Sequence, residues 1–284
     1  MSRAGRLNAV LAALVVVLGA FFYLRPARDT AVDFPLTALK PDEALSLTIE
    51  RTGAERVVLE KKQDGWHVSA PFAARADASR VQQLLAIVQA RATHKLPADD
   101  PGRFGLAPPQ ARIVVDGQAF SFGLVNEITR EQYVMSGNAI YALHPRFGAA
   151  LPARAADAAS RQLFGSHEVP QRFEAGRFTV AQEDGRWTLT PGRGDLSQDD
   201  LARWVDEWRL ASALRVDLRS ALKAREEIRI QLRQGGRFTL GVLAREPELI
   251  LARSDEKVQY HFRTELAQRL LSPPAARDEA AAKK

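Results

Sequence analysis

The sequence predicts an α+β fold, a tandem duplication of a mainly antiparallel sheet unit with one amphipathic helix per unit, placed after an N-terminal transmembrane helix. Three observations predict it. An uninterrupted apolar run from Ala9 to Leu24 follows a basic head with Arg3 and Arg6. Alternating segments divided by Asp-Gly and Gly-Gly turns, the pattern of β-hairpins, fill most of the chain beyond it. These segments return at an offset close to 120 residues, and self-similarity at a fixed period marks a repeated structural unit. With 284 residues there is room for two units, and 46% hydrophobic with 26% charged residues is the composition of folded domains.

Residues 1–28 read as the anchor. At about 1.5 Å per residue, Leu7 to Leu24 covers slightly less than the roughly 30 Å hydrocarbon core, a deficit that snorkelling of Arg6 and Arg25 offsets. A cleavable signal peptide is the alternative, since it shares the basic head and apolar centre. Leu18-Gly19-Ala20 lacks the small-x-small pattern of a cleavage site, however, and Phe21, Phe22 and Tyr23 resemble an interfacial belt. A retained single-pass membrane anchor, contacting lipid through residues 7–24, is therefore expected. Arg25 and Arg28 nearly balance Arg3 and Arg6, so a periplasmic soluble portion rests on the short head staying cytoplasmic. The chain has no cysteine, which excludes disulfides, thiolate metal sites, a cysteine nucleophile and a lipidated cysteine. The formal net charge of +6 permits contact with nucleic acid or anionic lipid. Because the arginines are scattered among alanines, no nucleic-acid partner is expected.

A linker over residues 29–41, with Pro35 and Pro41, leads to the first repeat, residues 42–152. Asp64-Gly65 with Trp66 returns as Asp184-Gly185 with Trp187, each a turn between strands. A helix follows in each copy. Its stripe is Val81, Leu84, Leu85 and Val88 in one and Leu201, Trp204, Val205 and Trp208 in the other, each pair 120 apart; spacing i, i+3, i+4, i+7 is one buried helix face. Asp77 and Ser197 stand at the matching N-cap positions. Ile113–Val115 and Phe120–Leu124 form a second hairpin around Asp116-Gly117, matched by Ile228–Leu232 and Phe238–Val242 around Gly235-Gly236. A last hairpin pairs 132–135 with 139–143, matched by 248–251 with 257–262, and Tyr141 corresponds to Tyr260. Each unit thus reads three strands, a helix, four strands and a short helix, near Phe147–Leu151 or Leu266–Leu271. The connecting segment, residues 153–169, is expected to hold a helix over Ala155–Phe164. The second repeat covers residues 170–272, and the aperiodic tail, residues 273–284, is expected to be disordered.

Chemistry is less legible. His67 and His261 lie on strands where alternation places them on the polar face, while His94, His144 and His167 fall at element ends, so solvated or capping roles are expected for all five. No phosphate loop, nucleophile elbow or metalloprotease helix occurs. Arg193-Gly194-Asp195 reads as a loop before the second helix rather than an adhesion signal. Asp199, Asp200, Asp206 and Glu207 read as the solvated side of that helix. Trp204 and Trp208, one turn apart, could stack on a sugar, but the correspondence with Leu84 and Val88 assigns them to the core. No catalytic, cofactor-binding or metal-ligating residue is assigned, and no cofactor is expected.

Asp64-Gly65-Trp66-His67-Val68-Ser69-Ala70-Pro71, the helix opening at Ala76-Asp77, Phe104-Gly105-Leu106 with Pro108-Pro109, and Gln132-Tyr133-Val134 together resemble the bacterial family of domains of unknown function 4340. The similarity covers roughly Leu45 to Phe164; the second copy lacks a Phe-Gly-Leu counterpart. The resemblance implies an anchored envelope protein without established activity, and for some relatives an accessory role beside an ABC-type transport system. The expected function is accordingly a non-enzymatic binding or scaffold protein with another envelope protein as partner, engaged through a cleft between the units or by strand addition at an open edge. The alternative is an envelope hydrolase or transferase acting on glycan or lipid through carboxylates that the sequence does not pair. Contact with anionic headgroups is a third possibility, and any small-molecule ligand is unknown.

Overall fold

The computed structural model describes residues 13–20, 33–192 and 197–274. Residues 13–20 are helical, with Leu14 to Leu18 exposed. No described helix is long and apolar enough to cross a membrane; most of the expected span 7–24 lies outside the described residues, as does the Arg193-Gly194-Asp195 loop.

After β1 (Phe34–Pro35), the first repeat runs β2 (Ser46–Arg51), β3 (Val57–Lys62), β4 (Gly65–Ala70), β5 (Ala74–Arg75), α1 (Ala78–Leu85), β6 (Arg91–Ala92), β7 (Lys95–Pro97), β8 (Ala111–Val115), β9 (Gln118–Val125), β10 (Gln132–Ser136), β11 (Ala139–Leu143) and α2 (Arg146–Ala149). The second runs β12 (Pro170–Ala175), β13 (Phe178–Glu183), β14 (Arg186–Thr190), α3 (Gln198–Arg209), β15 (Arg215–Leu218), β16 (Glu226–Leu232), β17 (Arg237–Ala244), β18 (Glu248–Arg253), β19 (Val258–Arg263) and α4 (Glu265–Leu271). The hydrogen-bonded orders are β5-β4-β3-β2-β8-β9-β10-β11-β7 and β14-β13-β12-β16-β17-β18-β19-β15, so the two sheets share one topology apart from β5. Every strand pairing is antiparallel.

The α+β class with antiparallel sheets stands as the sequence predicts, and the two sheets repeat one strand order; beyond the seven strands expected in each unit, β15 is added in the second and β5, β6 and β7 in the first. In each unit the helix carries the chain from one sheet edge to the other, where β7 pairs with β11 and β15 with β19. These strands are short and carry little alternation of their own; the neighbouring last strand creates them by offering free backbone groups. Both caps form as expected: Asp77 Oδ1 accepts from the Arg80 N–H at 2.9 Å, and Ser197 Oγ accepts from the Asp199 N–H at 3.1 Å. The stripe of the first helix is buried throughout, although Val88 lies in a following 3₁₀ turn, Ala86–Gln89.

The connecting segment departs from expectation. Only Ala155–Ala158 turn helically, as a single 3₁₀ turn. The chain then runs extended: Ala159 bridges Ala76, Ser160 N–H donates to Arg75 C=O at 2.8 Å, Leu163 N–H to Ala211 C=O at 3.1 Å, and Ala213 N–H to Arg161 C=O at 2.8 Å. An alanine-rich stretch favours helix in isolation, but here both repeats supply backbone partners that an extended chain satisfies and a helix would not. Pro273, at the start of the expected tail, is buried.

One hydrophobic core runs from Leu36 in the linker through the first repeat to Leu271 in the second. Trp204 and Trp208 are 1% and 0% exposed and lie 5.1 and 5.8 Å from the ring of Phe173, which removes them from any sugar platform. The edge of β14 is occupied at one position by a side chain: Gln198 Oε1 accepts from Trp187 N–H at 2.8 Å and its Nε2 donates to Trp187 C=O at 2.7 Å. In the first repeat β5 covers the same edge. Strand addition at these places would have to displace existing bonds.

Candidate functional site

The space expected to form a cleft between the repeats is filled by charged side chains. Arg75, at the end of β5, enters from the first repeat; Arg253, Glu256 and Tyr260 come from the β18–β19 hairpin, and Glu168 from the connector. Arg253 is 1% exposed, yet its guanidinium is fully engaged. It binds both oxygens of Glu168 at 2.7 Å, the Leu163 C=O at 2.8 Å and Asp255 at 2.7 and 3.0 Å, and it lies 3.7 Å from the centre of the Phe238 ring. Arg75 Nε donates to Glu256 Oε1 at 2.8 Å, and its Nη2 donates to the carbonyls of Gln162 and Leu163 and to the Tyr260 oxygen. The Tyr260 hydroxyl in turn donates to Glu256 Oε2, and Lys257 N–H donates to Ala73 C=O at 2.9 Å. Burial and the Glu256 charge push the Tyr260 hydroxyl well above its ordinary value, so it stays protonated and remains a donor.

A buried ion set holds together only when its members satisfy one another, and the donors and carboxylates here are consumed within the joint. Its chemistry is cross-linking of the two repeats and the connector between them. Glu168 makes the coupling sensitive to pH. Burial raises its carboxyl, but hydrogen bonds and charge from Arg253, then the charge of Arg75 and the Gly165 N–H, outweigh burial and hold it below the ordinary value. A carboxylate depressed in the folded state contributes stability above its unfolded pKa, and that contribution is lost as pH falls through the folded pKa. The stability of the wild type to urea should therefore fall from about pH 5 downward, and Glu168→Gln should flatten that slope; equal slopes would remove Glu168 from the pH response.

A second polar cluster surrounds His261, which is 3% exposed rather than solvated as alternation on β19 implied. Its Nδ1 lies 2.8 Å from both Glu248 Oε2 and Arg215 Nη2, and its Nε2 lies 2.9 Å from Gln259. Long side chains on β15 and β18 roof the strand face that the sequence left to solvent. Both ring nitrogens are thus engaged within the cluster. The other histidines fit their expected places: His67 bonds Asp64 in the turn at 2.9 Å, His144 accepts from the Arg146 N–H at 3.1 Å, and His94 and His167 are exposed. Asp200 and Asp206 pair with Arg203 and Arg209 on the helix surface, and Glu207 with Arg269. Among the described residues no group of three or more metal-ligating side chains comes together.

The residues that carry the family resemblance form a structural corner. Phe104-Gly105-Leu106 folds against β9, with Phe104 edge-on to Tyr133 at 4.7 Å. A Cβ on Gly123 would fall 2.2 Å from the Phe104 carbonyl, which explains the glycine in that strand. Gly241 occupies the matching place, with Ala224 Cβ 3.0 Å from the position its own Cβ would take. A groove of about 840 Å³ opens at one end of the second sheet, beside Arg177, Arg225 and Arg245.

The joint escaped sequence reasoning because its members lie up to 185 residues apart. The available signals were weak: a charged residue, Arg253, closing an apolar strand, and Arg75 just before a cap. A family model described as domain of unknown function (DUF4340) matches residues 66–228. The match starts later than the resemblance over Leu45 to Phe164 and extends through the connector into β16, so it takes in Arg75 and Glu168 and stops short of Arg253, Glu256 and Tyr260. No curated protein and no solved structure matches the chain.

Proposed function

The chain belongs to the DUF4340 family, and from that premise we propose that it is a non-enzymatic binding or scaffold protein of the bacterial cell envelope. In this reading residues 7–24 hold it in the inner membrane, the two repeats stand in the periplasm, and another envelope protein is its partner. An accessory role beside an ABC-type transport system belongs to the same reading and rests on the family resemblance alone. The observation that carries the reading is the joint: two sheets, a connector and one continuous core are locked together by buried charges that bind each other. Such an arrangement suits a body that presents surfaces in fixed relation. Crosslinking of the full chain in intact cells, followed by purification, should return the same envelope protein reproducibly, and a reporter fused after Asp33 should be active on the periplasmic side. Recovery of the chain alone, or a cytoplasmic reporter, counts against the proposal.

A further inference from the structure

The two repeats treat the same end of their sheets differently. In the first, the space beside β2, β8 and Leu151 is a pocket of about 250 Å³. Arg51 reaches across it, its Nη2 donating to Leu151 C=O at 3.4 Å. The strand registers pair Arg51 with Ala111 in the first sheet and Ala175 with Ile228 in the second. A small side chain therefore stands where the first repeat places its plug, and the space beside Leu271 opens into the groove of about 840 Å³.

The groove has two chemistries. Ile228 and Leu271 of the hydrophobic core line it, together with the half-buried Phe178 and Leu189 packed against that core. Arg177, Arg225 and Arg245 line it with charge. Arg245 is held by Glu226 at 2.7 Å. The side chains of Arg177 and Arg225 have no hydrogen-bond or ion-pair partner among the described residues, and Glu227 is the other carboxylate of the lining. The volume falls in the range of about 300–1,000 Å³ common for small-molecule sites. Unpaired guanidinium groups present forks matched to a carboxylate or phosphate. An apolar floor suits a hydrocarbon chain better than a peptide, whose backbone N–H and C=O groups would lie on it unpaired.

We propose that this groove binds an anionic amphiphile, with a single alkyl or acyl chain on Phe178, Leu189, Ile228 and Leu271 and a carboxylate or phosphate head on Arg177 and Arg225. The site lies within the second repeat and does not depend on the anchor or on a protein partner.

Its test uses the full chain, with an N-terminal affinity tag, in phosphatidylcholine nanodiscs. Radiolabelled dodecanoate captured with the protein is measured against empty discs. Saturable retention is expected, displaced by dodecyl phosphate but not by inorganic phosphate, dodecanol or an acidic peptide. Arg177→Gln with Arg225→Gln should weaken binding by roughly ten-fold or more, the order expected for one lost charge-assisted bond. Ala175→Arg, which restores the plug of the first repeat, should abolish it in a protein whose thermal unfolding midpoint shows that it is folded. The double arginine variant alters only exposed side chains and decides the matter if Ala175→Arg does not fold. Absence of saturable retention, retention unchanged in the double variant, or displacement by inorganic phosphate or the acidic peptide would overturn the proposal.

Discussion

Arg253→Ala should destabilise the full chain by about 3–5 kcal/mol, because removing one partner of a buried ion set leaves the others desolvated and unpaired. Glu168 would lose the guanidinium that binds both its oxygens, and the Leu163 carbonyl would lose the Nη1 donor. Arg253→Lys should recover only part of that loss, since an ammonium cannot reproduce the planar fork that spans Glu168 and Asp255. Equilibrium urea unfolding at pH 7 measures both. Arg75→Ala removes the cation that the first repeat contributes, so it should also separate the unfolding of the two repeats into distinguishable transitions. A loss below about 1 kcal/mol for Arg253→Ala, the size seen for exposed pairs, would show that the joint does not hold the repeats together.

The second large effect is expected in the aromatic core. Trp208→Ala should cost about 3–5 kcal/mol, the range for truncating a buried aromatic residue and leaving a cavity. Trp208 is 0% exposed, and its ring meets those of Phe173 at 5.8 Å and Trp204 at 6.1 Å. Trp208→Phe should cost far less, about 1.5 kcal/mol or below for a swap that retains most of the volume. The reason lies in the indole: neither Trp204 Nε1 nor Trp208 Nε1 has a hydrogen-bond partner among the described residues, so Phe removes a donor that is already unsatisfied. Thermal or urea unfolding of both variants tests this. If Trp208→Ala leaves the midpoint unchanged, the helix face carrying Trp208 is not the core face, and a surface role for the tryptophan returns.

The sequence by itself determined the elements that need only local information. Hairpins at Asp64-Gly65 and Asp184-Gly185, caps at Asp77 and Ser197, and the stripes through Val88 and Trp208 follow from turn chemistry, capping and period, and each recurs 120 or 121 positions later. Tertiary structure decided what local pattern leaves open. β7 and β15 exist because β11 and β19 offer them an edge, and Ala159–Leu163 is extended because two repeats compete for its backbone. His261 is buried because Arg215 and Glu248 lie over a face that alternation assigns to solvent. Arg75 meets Glu256 across 181 positions, and Ala175 in one repeat leaves open the space that Arg51 narrows in the other. The physical reason is the same in each case. Propensity and periodicity act within a few residues, whereas burial of a charge or opening of a groove depends on which distant side chains the finished sheets bring within about 4 Å.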